Sequence, residues 1–129
     1  MNKILIDTSV IIDFLRRKDR KNSLLFILAQ DKYQMYVSIV THTELYAGKS
    51  VWERKEALKD LETLFSGVEI IPLKEEISRN AGAIKAHHHI DLLDAIIAAT
   101  ALFSGLDLVT LNVKDFEEID DIKLFVKST

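Results

Sequence analysis

The stretch KILIDTS, residues 3–9, decides the predicted fold, because it joins an unbroken apolar run to an acid and two hydroxyl side chains. An apolar run like residues 4–6 is typical of a strand buried on both faces of a parallel sheet. Asp7 then falls where the strand ends, and open α/β sheets bind ligands at the carboxyl ends of their strands. Thr8 or Ser9 is suited to cap a following helix, and an acid near a helix N-terminus is itself favourable. Asp7 therefore either belongs to a ligand-binding site or only stabilises the start of the helix.

Composition limits the classes of protein that are possible. The chain has 129 residues, 48% of them hydrophobic, which is enough for one core but not two, so we expect a single domain over residues 1–129. No apolar run reaches the roughly 18 residues of a membrane span and there is no signal-peptide pattern, so we expect no membrane partner and a cytoplasmic location. Without cysteine, any metal must be held by carboxylate, imidazole or amide groups, which favours Mg²⁺ or Mn²⁺. The net charge of −3 gives no general attraction to nucleic acid.

Strands alternate with helices along the chain, which predicts an α/β fold with a central parallel sheet of four to five strands, flanked by helices. The further strands are predicted at residues 33–40, 68–72, 106–111 and, as a short final edge strand, 122–126. Helices are expected to include residues 53–65 and 74–86, and an apolar helix that follows Asp91 and ends at Gly105.

Three adjacent histidines, His87, His88 and His89, follow one of these helices. Neighbouring residues cannot share one helical face, so a chelating site built from these three alone is not predicted. We interpret them as solvent-facing side chains.

Acids and amides follow the ends of several predicted strands. The carboxyl ends of parallel strands share one edge of a sheet, so side chains that follow different strands converge there. The side chains expected at this edge are Asp7, Glu44, Asp94, Asn112 and Asp115. A local explanation is open for some of them, because Thr41 with Glu44, Asp91 with Asp94, and Asn112 with Asp115 all have the spacing of a helix cap.

A cap explains one acid at a time and does not explain why several acids gather. Carboxylates that lie close together repel one another and raise each other's pKa unless a cation is bound. Carboxylate oxygens and water are the ligands that Mg²⁺ and Mn²⁺ prefer, and such an ion activates water for attack on a phosphodiester. The sequence therefore predicts metal-dependent phosphodiester hydrolysis.

Four sequence motifs of this chain, taken in order, resemble those of the PIN-domain family, specifically the VapC-type toxins of prokaryotic toxin–antitoxin pairs. The motifs are ILIDTS at 4–9, TEL at 43–45 with Gly48, DAIIAA at 94–99, and VTLN at 109–112 with DF at 115–116. The resemblance covers nearly the whole chain and implies a three-layer PIN-like fold. It also implies an endoribonuclease that binds Mg²⁺ or Mn²⁺ through Asp7, Glu44 and Asp94.

The fourth ligand position departs from the family pattern. Many relatives have Asp where this chain has Asn112, and an amide oxygen is a neutral and weaker ligand than a carboxylate. Asp115 is expected to compensate, either as a further ligand and catalytic acid or through water. Thr8, Ser9 and Thr110 carry hydroxyls suited to holding water or phosphate, with capping and strand-end hydrogen bonds as the alternative.

Two further surfaces are expected to bind partners. Residues 16–21 form a basic segment next to the first helix, and Arg16, Arg17 and Lys18 are predicted to contact the RNA substrate, with a solvated turn as the alternative. The resemblance implies a homodimer and a cognate antitoxin whose tail lies near the acids. Tyr46, Val51 and Trp52 hint at such a groove, with a place in the core as the alternative.

Three other functions share part of this pattern. A non-catalytic PIN-fold domain that binds RNA or protein is the main alternative, and the presence of all three principal acids argues against it. An aspartate-nucleophile phosphatase needs a second acid two residues after Asp7, where this chain has Ser9. A phospho-acceptor receiver domain would use Lys114 but gives no role to Glu44.

Overall fold

The computed structural model describes residues 2–126 as four strands surrounded by helices. The strands are β1 (Lys3–Ile6), β2 (Gln34–Ser38), β3 (Glu69–Ile71) and β4 (Asp107–Val109). The helices are α1 (Thr8–Arg16), α2 (Leu24–Gln30), α3 (Ile39–Tyr46), α4 (Lys49–Glu53), α5 (Lys55–Ser66), α6 (Glu75–His87), α7 (Leu92–Ser104) and α8 (Val113–Phe116), with a 3₁₀ turn at Arg20–Asn22. None of the helices formed by residues 2–126 has the length and apolar character of a membrane span.

Strand β1 lies in the middle of a parallel sheet of order β3-β2-β1-β4. Leu5 is opposite Tyr36 on one side and Leu108 on the other. Since successive side chains of a strand point to opposite faces, β1 contributes to two separate cores. Leu5 packs with buried residues of α6 and α7, whereas Ile4 and Ile6 pack with buried residues of α1, α2 and α5. The predicted three-layer α/β architecture is confirmed.

Helix α7 packs closely on the sheet because its inner face is made of small side chains. Ala95, Ala98 and Ala99 are fully buried, and the helix begins directly at the carboxyl edge of the sheet. It ends at Gly105, whose φ of 65° is in the left-handed region that glycine adopts without steric cost. This turn leads the chain straight into β4.

One predicted element differs in the structure. The final edge strand expected at 122–126 is reduced to a single bridge between Leu108 and Leu124, because β4 is three residues long and offers little backbone to pair with. The helix predicted over 53–65 is observed as α5, and a short helix that was not predicted, α4, precedes it and is separated from it by the extended backbone of Arg54.

Candidate active site

Four of the five predicted ligands line one cavity at the carboxyl edge of the sheet. The cavity has a volume of about 520 Å³, and Asp7, Glu44, Asp94 and Asn112 all contribute to its wall. Asp115 lies instead in an adjoining cavity of about 330 Å³, which shares Asp94 with the first. The structure therefore brings the principal acids together and places Asp115 next to Asp94 but outside the first cavity.

Asp7 is only 2% exposed and is held by hydrogen bonds from two chain segments. Its backbone N–H donates to the Val109 carbonyl at 2.9 Å, and its Oδ2 accepts from Ser9 Oγ and Thr110 Oγ1, both at 2.7 Å. The Ser9 hydroxyl also accepts the Leu111 N–H at 3.1 Å. A buried carboxylate needs such donors, and here they fix its orientation.

Glu44 is held by a hydroxyl from the first helix. Thr8 Oγ1 donates to Glu44 Oε1 at 2.8 Å and lies 3.0 Å from the buried Thr41 Oγ1. A hydroxyl has one hydrogen, so donation to the charged carboxylate leaves Thr8 free to accept from Thr41. Thr8 thus connects α1 to α3 through the acid.

The expected capping box of Thr41 and Glu44 is absent. The N-cap of helix α3 is Ser38, which accepts the Val40 N–H at 3.1 Å, so the helix begins three residues earlier than a capping box at Thr41 requires. Thr41 and Glu44 therefore lie inside the helix. Likewise neither Thr8 nor Ser9 caps α1, because Asp7 occupies the N-cap position and both hydroxyls bond to acids instead.

The other local explanations also fail in the described structure. Asp91 and Asn112 occupy the N-cap positions of α7 and α8, yet neither side chain accepts a cap hydrogen bond. The Asn112 N–H donates to Thr110 Oγ1 at 2.9 Å. Helix capping therefore does not account for Asp94 or Asp115, and the side chain of Asn112 remains available at the wall of the cavity.

Asp94 shows that the acids affect one another. Burial and repulsion from Asp7, Asp115, Asp91 and Glu44 raise the pKa of Asp94 to about 6, well above the ordinary value of 3.8. This is the electrostatic conflict expected where carboxylates gather without a cation. A divalent ion would remove it.

The donor set fits a hard divalent cation. Carboxylate oxygens of Asp7, Glu44 and Asp94 and the amide oxygen of Asn112 share one wall, and oxygen ligands suit Mg²⁺ or Mn²⁺. Within residues 2–126, no three acid or histidine side chains already stand close enough to enclose an ion.

The basic segment divides into site residues and a structural residue. Arg16 and Arg17 line the acidic cavity, and Arg17 Nε is 2.9 Å from Asp13 Oδ2, whereas Lys18 is exposed beyond it. Arg20 is different, because its guanidinium donates to both Asp60 carboxylate oxygens and to the Leu15 carbonyl. Arg20 therefore fastens the turn after α1 to α5.

Sequence reasoning missed three side chains near the acids. Thr41 has the spacing of a helix cap in the sequence. In the structure it lies inside α3, and its buried hydroxyl contacts that of Thr8. Lys85 and His89 line the adjoining cavity with Asp94 and Asp115. No motif surrounds Lys85, and the three adjacent histidines carried no signal that the last one differs from the others.

The fold and the site define a class of α/β domain with an acidic cavity at the end of its central strand. The PIN-domain family model matches residues 4–122, and the chain belongs to the PIN-domain family, as predicted. It is 34% identical over 124 residues to ribonuclease VapC19 of Mycobacterium tuberculosis, covering 92% of this chain and 96% of the relative.

A second relative and a solved structure agree with this assignment. Ribonuclease VapC10 of the same organism is 33% identical over 125 residues, which cover 93% of this chain and 90% of the relative. The crystal structure of DNA-bound VapBC from Salmonella typhimurium superposes with a TM-score of 0.81 at 26% identity, over 97% of this chain and 98% of that chain. The similarity extends over essentially the whole described fold.

Proposed function

We propose that this protein is a Mg²⁺- or Mn²⁺-dependent endoribonuclease and the toxin of a type II toxin–antitoxin pair. The observation that carries the proposal is the convergence of Asp7, Glu44, Asp94 and Asn112 on one cavity, where the carboxyl group of Asp94 is repelled by its neighbours. The relatives named as ribonucleases support RNA as the substrate.

One group of side chains would bind the ion, and a second group positions the side chains of the first. Asp7, Glu44, Asp94 and Asn112 would bind the ion, and Asp115 would assist from the adjoining cavity. When bound, the ion would act as a Lewis acid, offset the negative charge of the carboxylates and promote attack of water on the phosphodiester. Ser9, Thr110 and Thr8 hydrogen bond to the carboxylates, so we assign them to positioning the acids beside the substrate.

The RNA backbone would be held next to the ion by the basic segment. Arg16 and Arg17 line the acidic cavity and Lys18 continues the positive surface beyond it. Since the net charge is −3, these local cations, together with the metal, supply the attraction that the whole chain lacks.

A larger groove beside the acids supports an antitoxin partner. It has a volume of about 970 Å³ and shares Ile12, Arg16 and Glu44 with the acidic cavity, so a segment in the groove would reach the acids. Its lining combines apolar residues, such as Leu45 and Val51, with charged ones, such as Arg54 and Glu56. The similar solved structures include a toxin–antitoxin complex from Klebsiella pneumoniae. Recovery of the chain alone, without a small protein, from its native host would contradict this partner.

The proposed homodimer has a candidate surface on α7. Leu92, Leu93 and Phe103 are large apolar side chains that are roughly half exposed on the chain by itself. Sedimentation of the purified protein at several concentrations tests this proposal, and a monomer at all of them would contradict it.

Cleavage of RNA with controlled metal tests the proposed activity. Purified protein is incubated with total RNA in excess chelator and then with Mg²⁺ or Mn²⁺, and the new ends are mapped. Cleavage should require the ion and be lost in Asp7→Asn and Asp94→Asn, because each variant removes a negative ligand. Cleavage in chelator would reject the metal site. If the unaltered protein binds RNA but does not cleave it with either ion, a non-catalytic PIN-fold domain is supported instead.

A further inference from the structure

A second cavity adjoins the acidic one and has a different chemical character. Its volume is about 330 Å³, and Asp94 belongs to the walls of both cavities. Lys85 comes from the last turns of α6, His89 from the connection to α7, and Asp115 from α8. The wall of this cavity thus combines a lysine and an imidazole with three acids, Asp91, Asp94 and Asp115.

The side chains of Lys85 and His89 have no salt-bridge or hydrogen-bond partner within residues 2–126. In the part of the chain that the structure describes, Lys85 forms no salt bridge, although Asp91, Asp94 and Asp115 share its cavity. The His89 ring makes no hydrogen bond to residues 2–126, whereas His87 Nδ1 lies 2.7 Å from the Ala83 carbonyl. Both side chains are exposed and available to a ligand.

Side chains that can contact a phosphate therefore line both of the cavities that share Asp94. Arg16 and Arg17 line the first cavity, the acids meet at Asp94, and Lys85 with His89 line the second. A single RNA strand that presents one phosphodiester to the acids must place its next phosphates in the adjoining space. Those phosphates are repelled by the carboxylates, so they need cations or N–H donors of their own.

We infer that Lys85 and His89 bind a phosphate group on one side of the scissile bond, while Arg16 and Arg17 bind a phosphate on the other side. The strand then crosses the metal site from α1 to the end of α6. Lys85 supplies a point charge and His89 an N–H donor to a non-bridging oxygen. This assignment rests on the proposed nuclease function and adds the path of the substrate to it.

The test uses a single-stranded oligoribonucleotide with one cleavage site, mapped first with the unaltered protein. Lys85→Gln, His89→Ala and Arg16→Gln are compared with Arg79→Gln, which removes an exposed cation of α6, the helix of Lys85, that lines neither cavity. Lys85→Gln and His89→Ala should raise KM about five- to tenfold, with kcat within about twofold, and Lys85→Gln should lower the salt slope of binding by about 0.7. Arg79→Gln should match the unaltered protein.

Uncharged methylphosphonate linkages locate the contact. Each flanking phosphate is neutralised in turn, and the loss of binding is measured for every protein. The linkage whose neutralisation weakens binding by the unaltered protein but not by Lys85→Gln is the one that Lys85 contacts. His89→Ala should point to the same linkage, and Arg16→Gln should point to one across the scissile bond. The inference is overturned if Lys85→Gln behaves like Arg79→Gln, or if Lys85→Gln and Arg16→Gln point to one linkage.

The two proposals fail differently. Cleavage by the unaltered protein together with a normal Lys85→Gln variant rejects only the path of the strand. Absence of cleavage with any divalent ion rejects both. Circular dichroism confirms that each variant is folded, which the exposure of both side chains favours.

Discussion

Thr110 donates a 2.7 Å hydrogen bond to Asp7, although the two residues are 103 positions apart in the chain. The contact follows from the sheet, because Ile6 at the end of β1 is in register with Val109 at the end of β4. The residues that come next, Asp7 and Thr110, are therefore neighbours. The orientation of the most buried acid is set by strand pairing rather than by its own helix.

We predict that Thr110→Val weakens metal binding. The variant loses the donor to Asp7 and the acceptor for the Asn112 N–H at 2.9 Å. Hydrogen bonds to charged groups contribute about 1.5–3 kcal/mol, so the affinity for Mn²⁺ should fall about tenfold to a hundredfold. Calorimetric titration measures it, with Thr110→Ser retaining the hydroxyl and Thr63→Val, on the exposed face of α5, as the matched control. Equal affinities for Thr110→Val and the unaltered protein would show that Thr110 does not position Asp7.

Metal-free protein should be destabilised by Asp94 as the pH rises. The pKa of Asp94 is about 6 in the folded chain and 3.8 without the fold, so the folded chain binds the extra proton. The stability that this group contributes is present below pH 4 and is lost as the pH rises through 6. Asp94→Asn lacks this dependence, so in chelator its advantage in free energy of unfolding should grow between pH 4.5 and pH 7. Urea unfolding at both pH values tests this, and a constant difference would contradict the repulsion.

Arg16 and Arg20 belong to one short basic segment, but we expect the first to affect RNA binding and the second to affect stability. Arg16→Gln should reduce the salt slope of RNA binding by about 0.7, as expected for one lost phosphate contact. Arg20→Gln should leave that slope unchanged and reduce the free energy of unfolding by about 1 kcal/mol or less, because its pairing with Asp60 is partly exposed to solvent. A lower salt slope in Arg20→Gln would show that Arg20 leaves Asp60 to bind RNA.

Phe116 connects the stability of the fold to the position of the fourth ligand. It is the buried residue of α8, the short helix that follows Asn112 and contains Asp115. Phe116→Ala should cost about 3–5 kcal/mol of unfolding free energy and lower metal affinity as well. Val113→Ala, at an exposed position of the same helix, is the control for both measurements. Unchanged metal affinity in folded Phe116→Ala would show that the site does not depend on α8.

The central strand and its acid were predictable from the sequence because few structures suit such a pattern. An apolar run that stops at Asp7 has to cross a buried sheet, and the alanines of α7 have to face it. The rule that parallel strands end at one edge then brings Asp7, Glu44 and Asp94 together.

The hydrogen bonds of the acids were not predictable, because cap spacing looks the same whether or not the cap forms. Thr41 and Glu44 have the spacing of a capping box, yet Glu44 bonds to Thr8, 36 residues away. Such a contact depends on how α1 packs against α3, and no local pattern records it. The same holds for Lys85, which shares a cavity with Asp94 only because α6 packs on α7.

The position of β4 late in the chain also matters during translation. Val109 and Thr110, which bond to the backbone and side chain of Asp7, are synthesised about 100 residues after it, a delay of about 5–20 s at ordinary elongation rates. Until they leave the ribosome, the carboxylates have no common cavity and the nascent nuclease should not cut its own messenger. Ribosome-bound chains stalled before residue 107 should therefore be inactive, and cleavage of RNA by them would contradict this delay.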